Sequence, residues 1–437
     1  VVFLLVKLII WTVTFLIIAT FVAVICRRFY TGRKYSRLDM ARQGSLPLLE
    51  ALKAGRKIEG EESYRHRPGS PGWTAVEECL LQCVESVDGR VEAARLLDSL
   101  GYTRHYLRKL KKGSRWDSAL AAERLGRIRY AAAVPYLIEA LGSDRKDVRL
   151  MAINSLGVIG DESAIPHLMN ALKQTLKDKD GEDVSVRVVK SAIISFGTAV
   201  LRDLMGELKS QDWMVRATAL DILGEIGDSS TSAEFSRMLG DPEHEVRAKA
   251  AKGLGKLKVR EAIPLLLAAL KDPDWVVRLH SARALGLIGA ESAIQPLKAA
   301  LTDKSWQVRA AASEAMALAG GAGFIELLNV LIDSSDRYAR DQALDQLSRA
   351  GFYTKLKSFL EGNDLILKEN GKTADKYIGR DLLLEMARIL SSLTQDRLEG
   401  ILASLSTMGH EAAKEDIAGV YALIKEVQGR KPQPKPS

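Results

Sequence analysis

An all-α fold, a right-handed solenoid of stacked helix pairs, is the class this sequence predicts, and three observations predict it. A Val-Arg step or close variant recurs 31 residues apart, ending in Arg216, Arg247, Arg278, Arg309 and Arg340, with Arg149 and Arg187 opening the same pattern upstream. A fixed period in this range means stacked supersecondary units, none able to shield its apolar side alone. Ala, Leu, Arg, Lys and Glu abound while only 12 of 437 residues are Pro, which suits helices. Finally, each period splits into two helical stretches: one carries the Val-Arg step and ends at Leu-Gly, the other begins with Ala-Ile-Pro or a variant and ends in Ala-Leu.

Taken in order, the chain opens with a predicted transmembrane anchor, residues 1–26. Leu8–Cys26 is 19 residues without a charge, and as a helix it rises about 28 Å, close to one hydrocarbon core. Lys7 can snorkel to the interface. Arg27, Arg28, Arg33, Lys34, Arg37 and Arg42 follow, opposed only by Asp39. By the positive-inside rule this places the rest of the chain in the cytoplasm, at the inner membrane. A cleaved signal peptide fits less well, because the apolar run is long and its basic cluster comes after it. Residues 27–72 read as a basic juxtamembrane linker with Gly, Ser and Pro near its end and a short helix around Leu46–Ala54.

Residues 73–115 read as N-terminal capping helices broken at Asp88-Gly89. Thr74 with Glu77 three residues on forms a capping box. Cys79 and Cys83 share a helical face and read as buried small apolar residues, since two thiols without a second pair make a poor zinc site. Three Cys in a chain this long provide no disulfide framework and fit a reducing compartment. Gly101–Arg115 carries Arg104, Arg108, Lys109, Lys111, Lys112 and Arg115 with no acid, and Tyr102, His105 and Tyr106 lie among them. It is a candidate surface for anionic lipid or nucleic acid, or else a solvated helix face.

Residues 116–360 form the repeats. Glycines Gly126, Gly157, Gly224, Gly255 and Gly286 suit either a helix C-cap or close helix approach. Asp274–Leu301 displays the unit in full, and on these residues the chain resembles the HEAT-like repeats of the type named after phycobilisome lyases. The resemblance runs over Trp116–Leu360 and is strongest over Ser143–Leu172 and Gln211–Leu301. It implies that the Val-Arg arginines pair with acidic loop residues of neighbouring units, here Asp212, Asp241, Asp274 and Asp303. It also implies a possible chromophore-transfer enzyme or chaperone, whereas bacterial proteins with an N-terminal span and such repeats suggest accessory roles in envelope or exopolysaccharide assembly. The step from Arg149 to Arg187 is lengthened by the charged insert Lys177–Asp183, read as an exposed loop because a calcium-loop register fails. Ala317 and Ser348 replace the Leu-Gly glycine, so the pattern decays. Residues 361–430 read as C-terminal capping helices (Lys376–Leu390, Thr394–Met408 and Ala412–Val427), and residues 431–437 as a disordered tail.

Three residues before each arginine stand Trp213, His244, Trp275, Trp306 and Arg337, which stacking would line up along one edge. Aromatics with Arg dominate protein interfaces, so these are the partner-binding candidates; a partly buried cap on the next loop is the plainer alternative. Five residues after each arginine, Asp221, Lys252, Arg283, Glu314 and Asp345 are expected to be exposed and mix their signs, which argues against nucleic acid. No phosphate loop, Gly-x-Ser-x-Gly or His-x-x-x-His is present, and the six His are scattered, with His280 expected at solvent. The expectation is a non-enzymatic scaffold with no catalytic, cofactor or metal site, binding protein partners at the membrane.

Overall fold

The computed structural model describes residues 2–85, 89–177, 184–360, 380–407 and 411–429, and among them every regular element is an α-helix or a short 3-10 turn. The insert at 178–183, Asp88, residues 361–379 and the tail at 431–437 lie outside the described residues. The chain divides into two compact units, Val1–Val200 and Leu201–Ser437.

The first unit opens with one unbroken helix, Val2–Lys53. The expected linker is therefore corrected as far as Lys53: the backbone stays helical through Gly32, Gly44 and Pro47. Tertiary contact supplies the reason. Leu48 and Leu52 are fully buried where this helix packs on Pro71–Val84, and Arg42 forks onto Glu78 at 2.9 and 3.1 Å. Burying two leucines contributes about 3–6 kcal/mol, comparable with the ~5 kcal/mol that two helical glycines and one interior proline cost together.

Side chains of the uncharged run are described from Trp11 to Ile25, and the large apolar ones, among them Trp11, Phe15, Ile17 and Phe21, are exposed. The rest of the expected span Leu8–Cys26 lies outside the described side chains. Among the described residues no helix is long and apolar enough to cross a membrane.

Helix Pro71–Val84 is capped by Ser70, whose hydroxyl accepts the Trp73 amide at 3.2 Å, with Pro71 in the first turn where no bond is lost. The expected cap, Thr74, sits inside the helix and donates to the Ser70 carbonyl. Glu77 accepts the Tyr106 hydroxyl at 2.6 Å instead of closing a capping box. The Trp73 and Tyr102 rings lie 3.7 Å apart, and the Tyr102 hydroxyl donates to the Trp73 carbonyl at 2.9 Å.

In the second unit, helices of 13 or 14 residues lie side by side: Trp213–Ile226, His244–Lys256, Trp275–Ile288, Trp306–Leu318 and Arg337–Arg349. Seven-residue helices, Ser232–Met238, Ile263–Ala269 and Ile294–Ala300, alternate with them. Each is entered through a 3-10 turn ending in buried Thr231, Ala262 or Ala293. The Leu-Gly glycines serve close approach: a Cβ on Gly286 would meet the Ala315 Cα at 2.6 Å, and one on Gly255 the Ala284 Cα at 2.7 Å. The left-handed residue that ends the helix comes three positions later, at Gly227, Lys258 and Gly289. Helices Arg380–Ser391, Gln395–Thr407 and Glu411–Gly429 complete the unit. Arg397 pairs with Asp333, and the Tyr421 hydroxyl donates to the Leu393 carbonyl.

Candidate interaction surface

The Val-Arg arginines are built into the stack of the second unit. Arg216 sends Nε and Nη2 to the two carboxylate oxygens of Asp241 at 2.8 and 2.7 Å. Arg247 does the same to Asp272 at 2.8 and 2.9 Å, and Arg278 to Asp303 at 2.7 and 2.8 Å. The Nη1 groups donate backward to the carbonyls of Ser210, Asp241 and Asp272, each at 2.9 Å. Each aspartate also accepts the backbone amide two residues on, that of Glu243, Asp274 or Ser305. One carboxylate thus closes its own turn and holds the arginine of the preceding repeat.

This corrects the expected pairing at two positions. Asp212 and Asp274 cap their own helices, accepting the Met214 and Val276 amides, and Asp272 is the rung that the sequence reading passed over. Burial, the largest single influence, raises the pKa of Asp272 and Asp303, but the hydrogen bonds from Arg247 and Arg278, the backbone amides of Asp274 and Ser305 and the nearby arginine charges together outweigh it, and both carboxyls are held below the usual aspartate value. The same bonds raise the three arginines.

On this frame the helix-start residues stand in sequence along one edge. Trp213 and Trp275 are each 40% exposed and Trp306 is 63% exposed. His244 places Nδ1 2.7 Å from Glu243 Oε1, and Arg337 is exposed. Trp275 and Trp306 flank a cleft of about 560 Å³ that Pro273, Arg278, Lys304 and Gln307 also line. Sequence reasoning missed Tyr338, which is 60% exposed beside Arg337. Its column in the repeat holds Met214, Glu245, Val276 and Gln307, so no pattern marks it.

The mixed row differs from expectation. Arg283 and Glu314 are exposed, whereas Asp221, Lys252 and Asp345 are half-buried. Asp221 accepts both Lys249 and Lys252, at 3.3 and 3.2 Å. His280 is half-buried rather than at solvent. Burial first, then Arg283, Lys252 and Lys249, push its pKa down to about 4, so it is neutral at pH 7.

In the first unit, helix Tyr102–Lys112 turns Tyr102 and Tyr106 into the core and leaves Arg104, Arg108, Lys111 and Lys112 exposed. Lys109 pairs with Asp117 at 3.3 Å and Arg115 with Asp147 at 2.6 Å. The Lys111 ammonium sits 4.3 Å over the Tyr136 ring. Acids supplied by other stretches therefore dilute a patch that is purely basic in sequence. Trp116, which the sequence reading did not single out, is 76% exposed beside it. Lys111 and Lys112 form a ridge between two clefts of about 560 and 460 Å³. Cys79 and Cys83 are both buried thiols, and burial pushes Cys79 up to about 12. Among the described residues no group of three or more His, Cys, Asp or Glu is placed to hold a metal.

Repeats of this geometry define a class, and comparison with known proteins agrees. The model of HEAT repeats matches residues 103–184, 198–284, 232–319 and 263–348, more than half of the chain. The chain belongs to the HEAT-repeat family, and it is an all-α, solenoid-like helical scaffold. Among solved structures it is similar to a mutant of Kap121p, at 12% identity and a TM-score of 0.44, over 91% of this chain and 50% of that one. It is also similar to human deoxyhypusine hydroxylase, at 22% identity and a TM-score of 0.25, over 56% and 94% of the two chains. A third likeness is the CpcE–CpcF phycocyanin lyase of a Nostoc species, at 19% identity and a TM-score of 0.22, over 62% and 94%. The family assignment rests on the repeat matches and not on these likenesses. No curated protein matches the chain.

Proposed function

We propose that the protein is a non-catalytic scaffold: a right-handed α-solenoid, preceded by one transmembrane helix, that recruits a protein partner on the cytoplasmic side of the membrane. In this reading it is an accessory subunit of a membrane or envelope assembly. The observation that carries it is the helix-start row. Trp213, Trp275 and Trp306 are large, exposed and mounted on helices that arginine forks lock together. Rigidly held aromatics lose little entropy on binding and dominate interface energetics. Support for the anchor is the 19-residue uncharged run in sequence, followed by arginines, on a continuous helix whose described apolar side chains are exposed. Tethering would raise the effective concentration at a membrane partner.

The test uses the tagged full chain. Carbonate-washed membranes should retain it, and recovery in the soluble fraction would sink the anchor. Crosslinked partners should be lost from the Trp275→Ala/Trp306→Ala double variant while its thermal unfolding stays cooperative; unchanged capture would rule out the row. A second reading, contact with anionic headgroups, rests on the exposed Arg104, Arg108, Lys111 and Lys112 ridge. It requires salt-sensitive binding to phosphatidylserine vesicles that charge reversal at Lys111 and Lys112 abolishes.

A further inference from the structure

The fork ladder stops at Arg309, and one residue stops it. The turn position six residues before each arginine is Ser210, Asp241, Asp272, Asp303 and Ser334 in succession. All five close their turn in the same way, accepting the amide two residues on with a side-chain oxygen. Only the aspartates can also take the preceding arginine. Ser334 keeps the turn, with the Asp336 amide 3.2 Å from its hydroxyl, but offers Arg309 no carboxylate. Arg309 still sends Nη1 to the carbonyls of Asp303 and Lys304, at 2.7 and 3.3 Å. Its Nε, on the edge that meets a carboxylate in the three preceding repeats, is buried and has no acceptor among the described residues. The Tyr338 ring lies 4.6 Å from the guanidinium. Arg340 also has a buried Nε without an acceptor among the described residues, but the position 25 residues on, where each rung acid stands, lies outside them.

We infer that the Arg309 site, faced by the Tyr338 ring, takes a carboxylate from an acidic segment of a partner protein. The fork edge is already oriented, because Nη1 is pinned by two carbonyls. A carboxylate arriving from outside would complete the geometry seen at Arg216, Arg247 and Arg278, with two charge-assisted bonds to a planar fork. Tyr338 and Trp306 are each about 60% exposed, so the ring can swing aside and both aromatics can cover an incoming chain. Charge complementarity favours an acidic segment. Lys304 and Arg337 are exposed on this edge. Nearby acids are engaged: Asp303 with Arg278, Asp336 with the Ala339 amide and Asp333 with Arg397. The inference deepens the protein-binding reading and rests on it.

The test plugs the site from within. Ser334→Asp would supply the missing rung, whereas Ser335→Asp, at the exposed neighbour, adds the same charge without reaching the fork. The probe is fluorescein-labelled hexaglutamate, read by anisotropy on the full chain in detergent. Ser334→Asp should raise Tm and weaken probe binding about tenfold, and Ser335→Asp should change binding by less than about twofold. Equal effects of the two variants, or a Ser334→Asp chain with raised Tm and unchanged binding, would overturn the inference. The probe is synthetic, so its result is independent of whether crosslinking captures a partner. Failure here with Trp-dependent capture intact would remove the carboxylate site and leave the scaffold.

Discussion

The two units share close helix joints at glycine and differ in what is added to them. In the first, Gly126 and Gly157 press on Ser155 and Ala192 in the manner of the repeats, and a single cluster is added to these joints: Trp73 packs on Tyr102, and the Tyr102 and Tyr106 hydroxyls anchor to the Trp73 carbonyl and to Glu77. In the second, the same small joint is used again and again, a glycine pressed on an alanine of the next helix and an arginine forked into the next turn. A cluster is built once, so damage to it has no counterpart elsewhere. Repeated joints make stability close to a sum of nearest-neighbour terms, so one broken joint weakens one interface and leaves its neighbours formed.

The sharpest way to break the second pattern is to fill the helix contact. Gly286→Ala places a Cβ 2.6 Å from the Ala315 Cα, a backbone atom that cannot rotate away. The two helices must separate, and urea denaturation should show a loss of about 3 kcal/mol.

Removing a rung should cost somewhat less. Asp272→Ala leaves the Arg247 fork without its acceptor, with both side chains largely buried at 15% and 10% exposure. The expected loss is about 2 kcal/mol, below that of a fully buried pair because the site retains some solvent. The rung also has a pH signature. The folded pKa values of Asp272 and Asp303 are depressed, so their stabilisation is complete above the unfolded aspartate value, about 3.9, and is lost as pH falls through the lower folded value. Melting temperature should therefore drop below about pH 4, and Asp272→Asn should flatten that drop; a variant profile parallel to wild type would mean that the forks contribute nothing.

In the first unit, Tyr106→Phe deletes a buried hydroxyl that donates to Glu77 at 2.6 Å and keeps the ring in place. About 1.5 kcal/mol should be lost, since the acceptor is charged and partly buried. Hydrogen exchange should localise the loss to the first unit; a loss spread equally over both would show that the cluster is not a local device.

How much of this could be read from the sequence follows from the same contrast. A joint used every 31 residues leaves a trace, so the helix pairs, the in-register arginines and the helix-start residues were legible. The rung at Asp272 was hidden because Asp274, two residues on, sits where a pairing acid was sought and is in fact a helix cap. Devices built once leave no period. The helix running to Lys53 depends on Leu48, Leu52 and the Arg42–Glu78 fork, contacts that local propensity, with Gly32, Gly44 and Pro47 in the way, does not announce. Tyr338 likewise meets Arg309 in the one described repeat where Ser334 stands at the position held by an aspartate in the three units before it.

The smallest expected effect is the one that separates geometry from energy. Arg115 and Asp147 in the first unit meet at 2.6 Å, as close as any fork in the second, yet their side chains are 66% and 46% exposed. Solvent screens such a pair, and holding two long side chains together costs entropy that offsets most of the attraction. Arg115→Ala should therefore stay within about 0.5 kcal/mol of wild type, and 0.5 M salt should erase whatever remains. The Asp272 rung should keep most of its contribution in the same salt, because burial shields it from the ions. If Arg115→Ala matched Asp272→Ala in cost, burial would not be what distinguishes the forks, and the contrast between the two units would reduce to the number of ion pairs in each.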